Sequence, residues 1–181
     1  LPRGQMGNSE VGHLNMGGGR IVYQDYTRIS LAVEEGTFAG NDVLLRTMEK
    51  AKGARLHLIG LLSDGGVHSH NTHLYALLQM AGKMGLENVF VHAVLDGRDV
   101  PPRSALTYLQ ELEEKFQQIG TGKLATLSGR YYTMDRDKRW ERVEMAYRCL
   151  TEGLGMQAKT AKEAVENGYK RGENYEFLSP T

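Results

Sequence analysis

The sequence predicts an α/β fold: a mainly parallel sheet with helices on both faces, a three-layer sandwich, preceded by a segment of a different domain. Three observations carry this expectation. Short apolar runs alternate with stretches of helical periodicity. The runs are continuously apolar instead of alternating, as in strands buried on both faces. Each run ends in a polar loop of Gly, Asp, Ser or Arg, which places those loops along one sheet edge.

The elements follow in order. Residues 41–52 read as a helix, and the run from Leu56 to Leu62 reads as a buried strand closed by the turn Ser63-Asp64-Gly65-Gly66. Leu74, Leu77, Leu78, Ala81 and Met84 recur at helical spacing, and 88–94 is apolar and β-branched enough for a second strand. The loop 95–99 follows. Leu106, Leu109, Leu112, Phe116 and Ile119 mark a third helix, 123–128 a third strand, and Gly129-Arg130-Tyr131-Tyr132 another loop. A last amphipathic helix presents Trp140, Val143, Tyr147 and Leu150, while 160–168 reads as a short helix closed by Gly168. The role of the tail after Gly153 stays open. With no repeats, low-complexity tracts or proline-rich linkers, the domain boundary is expected around 23–34.

Composition narrows the function. The 181 residues are 40% hydrophobic with zero formal net charge, enough for one core or one domain plus part of another. No apolar run approaches the roughly 20 residues that cross a bilayer, and no basic-then-apolar leader opens the chain. A membrane role is not expected. The absence of a basic run or a repeated basic-aromatic pattern argues against nucleic acid as the main partner. The single cysteine, Cys149, cannot form an internal disulfide and reads as a small buried apolar residue, consistent with a reducing, cytoplasmic setting. The chain opens at Leu1-Pro2 and closes at Ser179-Pro180-Thr181, so it reads as a piece of a longer protein.

Ligands of an open parallel sheet bind beyond the carboxyl ends of its strands. Those ends carry Asp64, His68 and His70, then Asp96, Arg98 and Asp99, then Arg130 and Arg136. Arginine forks pair with carboxylate and phosphate oxygens, so these groups suit a phosphorylated hydroxy acid. Structural alternatives stand beside this reading: Asp96 and Asp99 could hold Arg98 in an ion pair, and Arg136 lies in the mixed-charge run 134–139, which could be a solvated face. The string from Asp64 to His70, with His73 beyond, also has residue types suited to zinc or manganese, without a specific spacing. His73 equally suits the first turn of a helix, while His57 and His92, inside strands, read as packed or edge residues.

The opening string Gly4-Gln5-Met6-Gly7-Asn8-Ser9-Glu10 holds a serine in a glycine-rich turn before a helix, where free N–H groups and the helix dipole stabilise an anion. Asn8 or Ser9 would serve equally as a helix N-cap. The whole string from Gly4 to Asp25, with Gly17-Gly18-Gly19 and 20–25, closely resembles the nucleophile region of cofactor-independent phosphoglycerate mutases, members of the alkaline phosphatase superfamily. The strings 63–70, 95–104 and 128–140 resemble the same family, in its order, so the resemblance runs from Gly4 to about Leu150.

That resemblance implies a two-domain parent. Residues 1–24 would be a fragment of the phosphatase-like domain and 25–181 the inserted substrate-binding α/β domain, truncated at its C-terminus. Ser9 would take the phosphoryl group of 3-phosphoglycerate as nucleophile and metal ligand, with two manganese ions lowering its pKa. Return of the group to the other hydroxyl gives 2-phosphoglycerate, the glycolytic and gluconeogenic interconversion. His70, Arg98, Asp99, Arg130 and Arg136 match the family's substrate-binding positions, with Asp99 also a proton carrier. The other metal ligands, a further arginine-rich loop and a lysine would come from segments outside this chain, which demotes the histidine–metal reading. The 181 residues are therefore expected to bind substrate without a complete metal site and without turnover, within a monomeric cytoplasmic parent. Two alternatives remain: another phosphatase or phosphomutase of that superfamily, and a non-catalytic anion-binding module.

Overall fold

The computed structural model describes residues 9–181. Its centre is a three-stranded parallel sheet in the order β1 (Leu56–Leu62), β2 (Val89–Leu95), β3 (Lys123–Gly129). Before it lie α1 (Ser9–Gly18), α2 (Asp25–Glu34), a 3-10 turn (Thr37–Gly40) and α3 (Asp42–Lys50). α4 (Asn71–Lys83) and α5 (Ala105–Ile119) connect the strands, and α6 (Arg130–Thr133), α7 (Trp140–Glu152) and α8 (Ala161–Lys170) follow.

The apolar pattern explains the layers. Leu56, Val89, Val91, Ala93 and Leu95 join Leu78 and Ala81 of α4, Leu109 and Leu112 of α5 and Val165 of α8 in one buried cluster. The other sheet face meets Ala146 and Cys149 of α7, both buried. Toward β1 that second face is open, with Ile59 59% exposed. Burial pushes the Cys149 thiol up, so it behaves as a small apolar core residue.

Local chemistry sets the helix ends. Asn41 accepts from the backbone N–H of Val43 and Leu44 at the start of α3. Thr160 and Glu163 form a reciprocal pair at the start of α8: Thr160 Oγ1 accepts from Glu163 N–H at 3.1 Å, and the Glu163 carboxylate accepts from Lys159 N–H at 2.8 Å.

Several expectations need correction. Residues 130–133 form a helical turn, not an open loop. α7 is rotated from the predicted face: Trp140 is 70% and Tyr147 61% exposed, while Ala146 and Cys149 pack inward, because two small side chains let the helix approach the sheet closely. Gly168 lies inside α8, buried against Leu178, and does not close the helix. The tail also gains a role. Thr181 and Leu127 exchange two backbone hydrogen bonds of 2.8 and 2.9 Å, and Gly129 N–H donates to the Leu178 carbonyl at 2.8 Å. It therefore runs along the outer edge of β3.

His57, His92 and Thr126 form a polar row across the second face, with His57 Nδ1 2.9 Å from His92 Nε2 and His92 Nδ1 2.9 Å from Thr126 Oγ1. This agrees with the packed-histidine reading. Burial, then the neighbouring His57, lowers the His92 pKa. Burial and His70 do the same for His73, whose Nε2 lies 2.9 Å from Ser30 Oγ of α2. Below about pH 6.5 the unfolded chain takes up protons that the folded chain refuses, so acid favours unfolding. The expected result is a urea midpoint that is flat above that pH and falls below it. His92→Gln should reduce that dependence, and a midpoint independent of pH between about 5 and 6.5 would contradict it.

Candidate functional site

Parallel pairing sets the strand ends side by side: Leu62 is opposite Leu95, and Leu95 opposite Gly129. The residues just beyond them therefore converge. Arg130, the first residue of α6, donates through Nη1 to Asp96 Oδ1 at 2.8 Å and to Asp99 Oδ2 at 2.6 Å, and through Nη2 to His68 Nε2 at 3.0 Å. Since a guanidinium only donates, the His68 Nε2 lone pair accepts, and the neutral ring carries its proton on Nδ1. His68 Nε2 also lies 3.8 Å from Asp99 Oδ2.

Asp96 is buried beneath this group. Burial opposes its ionisation, but the N–H of Asp99, the Ser63 hydroxyl, the N–H of Arg98 and the Arg130 guanidinium together hold its carboxyl below the usual range. Burial likewise opposes the Arg130 charge and is outweighed by Asp99 and Asp96, which push its pKa up.

The predicted residues fare differently. Arg98, Asp99, Arg130 and Arg136 all line one cleft of about 410 Å³, together with His68 and Glu176. Asp96 does not pair with the Arg98 side chain; it accepts from that residue's backbone, while the exposed guanidinium lies 3.7 Å from Glu176. Arg136 is exposed, on a loop held by Asp135, whose carboxylate accepts from the N–H of Asp137 and Arg139. His70 is the N-cap of α4: its ring accepts from Thr72 N–H and packs against Tyr26 and His73. His68 therefore occupies the cleft wall where His70 was expected. The Ser69 hydroxyl donates to the Leu61 carbonyl between the two histidines.

Asp64 accepts from the Tyr108 hydroxyl, and burial plus that carboxylate push the Tyr108 phenol up to about 12. Among the described residues no three or more His, Cys, Asp or Glu side chains form a group that could hold a metal ion. The string from Asp64 to His73 is thus dispersed among a phenol contact, the Arg130 cluster and a helix cap. Ser9 begins α1, and His13 Nδ1 donates to the Ser9 carbonyl at 2.7 Å, with the hydroxyl 3.2 Å away. Residues 4–8 of its glycine-rich string lie outside the described residues.

Sequence reasoning missed Glu176, Asp135 and Arg142. Arg142 is 3.4 Å from Asp135 and stacks 3.9 Å over the Tyr131 ring, closing the cleft beside Arg136. Glu176 reaches the site because the turn Tyr175–Phe177 packs against Gly97 and Gly129. The run of charges 134–142 was the available signal for Asp135 and Arg142; a turn this distant in sequence offered none for Glu176. A larger cleft of about 600 Å³ lies between α5, β3 and α8; it mixes apolar groups such as Phe116, Leu124 and Ala164 with polar ones such as Glu113, Lys123 and Lys159, and no arginine lines it.

Fold and cleft define a class: an α/β domain whose parallel strand ends gather arginines, a histidine and a carboxylate in one cleft. Residues 29–181 match the family described as "BPG-independent PGAM N-terminus", and the chain belongs to that family. It is 58% identical over its whole length to the 2,3-bisphosphoglycerate-independent phosphoglycerate mutase of Desulforudis audaxviator and 56% identical to that of Clostridioides difficile, spanning 36% of each. A crystal structure of Leishmania mexicana phosphoglycerate mutase, described at low cobalt concentration, superposes with a TM-score of 0.86 at 35% identity, over 99% of this chain and 35% of that one. The chain thus spans about a third of the length of the relatives it matches.

Proposed function

We propose that the longer protein represented by this chain interconverts 3-phosphoglycerate and 2-phosphoglycerate through a phosphoserine at Ser9, and that residues 25–181 are its substrate-binding domain. Residues 1–24 then belong to the phosphatase-like domain of a monomeric cytoplasmic enzyme. What supports this is the cleft: His68, Asp99, Arg98, Arg130 and Arg136 meet at the strand ends, in the family whose named members are phosphoglycerate mutases.

Each group has a task in that cleft. Arg98 and Arg136, both exposed, pair with phosphate and carboxylate oxygens. Arg130 fixes Asp99 and His68, and Asp99 accepts and returns the proton of a glycerate hydroxyl. His68, with Nε2 occupied by Arg130, offers its Nδ1–H as a neutral donor. A manganese pair is the family expectation; among the described residues no ligand set for it assembles.

Calorimetric titration of this chain with 3-phosphoglycerate tests the reading, beside an enolase-coupled assay on the full-length gene product. The expected outcome is saturable binding, weakened about 100-fold by Arg98→Ala combined with Arg136→Ala, and 2-phosphoglycerate formation only by the full-length protein. Phosphate release without 2-phosphoglycerate would favour a phosphatase. No turnover by the full-length protein despite saturable binding would favour an anion-binding module. Manganese-dependent turnover by the 181 residues alone would overturn the division of labour.

A further inference from the structure

Asp96 is 1% exposed and has no direct task in the cleft. Four hydrogen bonds converge on it: the Ser63 hydroxyl donates to Oδ2 at 2.7 Å, while Oδ1 accepts from Arg98 N–H at 3.1 Å, Asp99 N–H at 3.0 Å and Arg130 Nη1 at 2.8 Å. Oδ1 thus takes three of these donors and Oδ2 one. Burial keeps a ligand from reaching the carboxylate.

What the carboxylate holds is informative. Its two backbone bonds fold the turn after β2, which sets where Arg98 and Asp99 leave the main chain. Its guanidinium bond holds Arg130, and the same Nη1 reaches Asp99 Oδ2 at 2.6 Å. Asp96 therefore fixes Asp99 through the backbone and Arg130 through charge, and Arg130 in turn carries His68. We infer that Asp96 is a positioning residue for ligand binding: its buried negative charge, acting through Arg130, aligns Arg130, Asp99 and His68 on the cleft wall. This rests on the cleft being the phosphoglycerate site.

Asp96→Asn isolates the charge. The amide oxygen can still accept both backbone N–H groups, and its NH₂ can donate to the Ser63 oxygen, so mainly the counter-charge to Arg130 is lost. In calorimetric titrations of the full chain with 3-phosphoglycerate, Asp96→Asn is expected to weaken binding about tenfold or more, but less than about threefold in an Arg130→Lys background. Ser63→Ala, which removes one bond and leaves the charge, is expected to stay within about threefold. Equal losses in both backgrounds, or a Ser63→Ala loss matching Asp96→Asn, would overturn the proposal.

A second readout needs no substrate. The Arg130 guanidinium protons should give resolved, exchange-protected NMR signals in the wild type that collapse in Asp96→Asn. Wild-type signals exchanging as in a free arginine overturn the proposal even if the variant does not fold. Should wild type fail to bind 3-phosphoglycerate while those signals behave as expected, the substrate reading falls and the Asp96–Arg130 restraint stands.

Discussion

Arg130→Ala is expected to lower the unfolding free energy by about 3–5 kcal/mol at neutral pH, the range for removing one partner of a buried ion pair. The Arg130 side chain is 10% exposed, Asp96 1% and Asp99 18%, so solvent cannot take over the lost role as it does for surface pairs worth about 0–1 kcal/mol. Two carboxylates would be left facing each other without a counter-charge.

The pH dependence identifies the cause. The folded Asp96 pKa is depressed, so the stability from its ionisation is present above the unfolded value of about 3.9 and is lost as pH falls through the folded pKa. The gap between wild type and Arg130→Ala should therefore be widest near neutrality and shrink below about pH 4. Arg130→Lys keeps a charge but not the fork that spans Asp96, Asp99 and His68, and should fall between the two. Urea unfolding at several pH values measures all three; an alanine variant within about 0.5 kcal/mol of wild type would show that the cluster contributes little.

Gly129→Ala is the second large effect. A Cβ at Gly129 would overlap the Glu176 carbonyl oxygen and lie 2.6 Å from Leu178 N and 2.7 Å from Glu176 C. These are backbone atoms, which cannot rotate away, so the tail must shift, at a cost of about 3 kcal/mol or more. The φ of −64° at Gly129 suits any residue, so the requirement is close approach and not backbone freedom. Gly60→Ala is the control, since a Cβ there meets nothing within 4 Å. Thermal unfolding should drop by several degrees for Gly129→Ala and hardly move for Gly60→Ala; equal midpoints would mean the tail yields freely. Because the displaced turn carries Glu176, the variant should also loosen Arg98.

The strands were legible because their signal is local. Short leucine-bearing runs between polar loops place β1 and β3 within a residue or so of their observed ends, and the helices expected from Asn41 and Thr160 start there, where both side chains cap them. The face of α7 was not legible, since Trp140 and Tyr147 have the larger apolar surfaces yet lie outward, and the small Ala146 and Cys149 decide the packing. The site divided similarly. Parallel topology brings Arg98, Asp99, Arg130 and Arg136 to one edge, whereas the choice between His68 and His70 turned on a cap bond to Thr72.

By itself, then, the sequence determined the alternation of elements, the parallel sheet, the edge at which charged groups collect, and, through separated strings in one order, the family. Tertiary structure alone decided that Asp96 supports the site from beneath, that His68 faces the cleft, and that Glu176 arrives from the distant tail. The reason is range. Periodicity and capping act over a few residues and can be read in series, while a hydrogen bond such as Arg130 to Asp96, 34 positions apart, exists only once the strands have set both ends side by side.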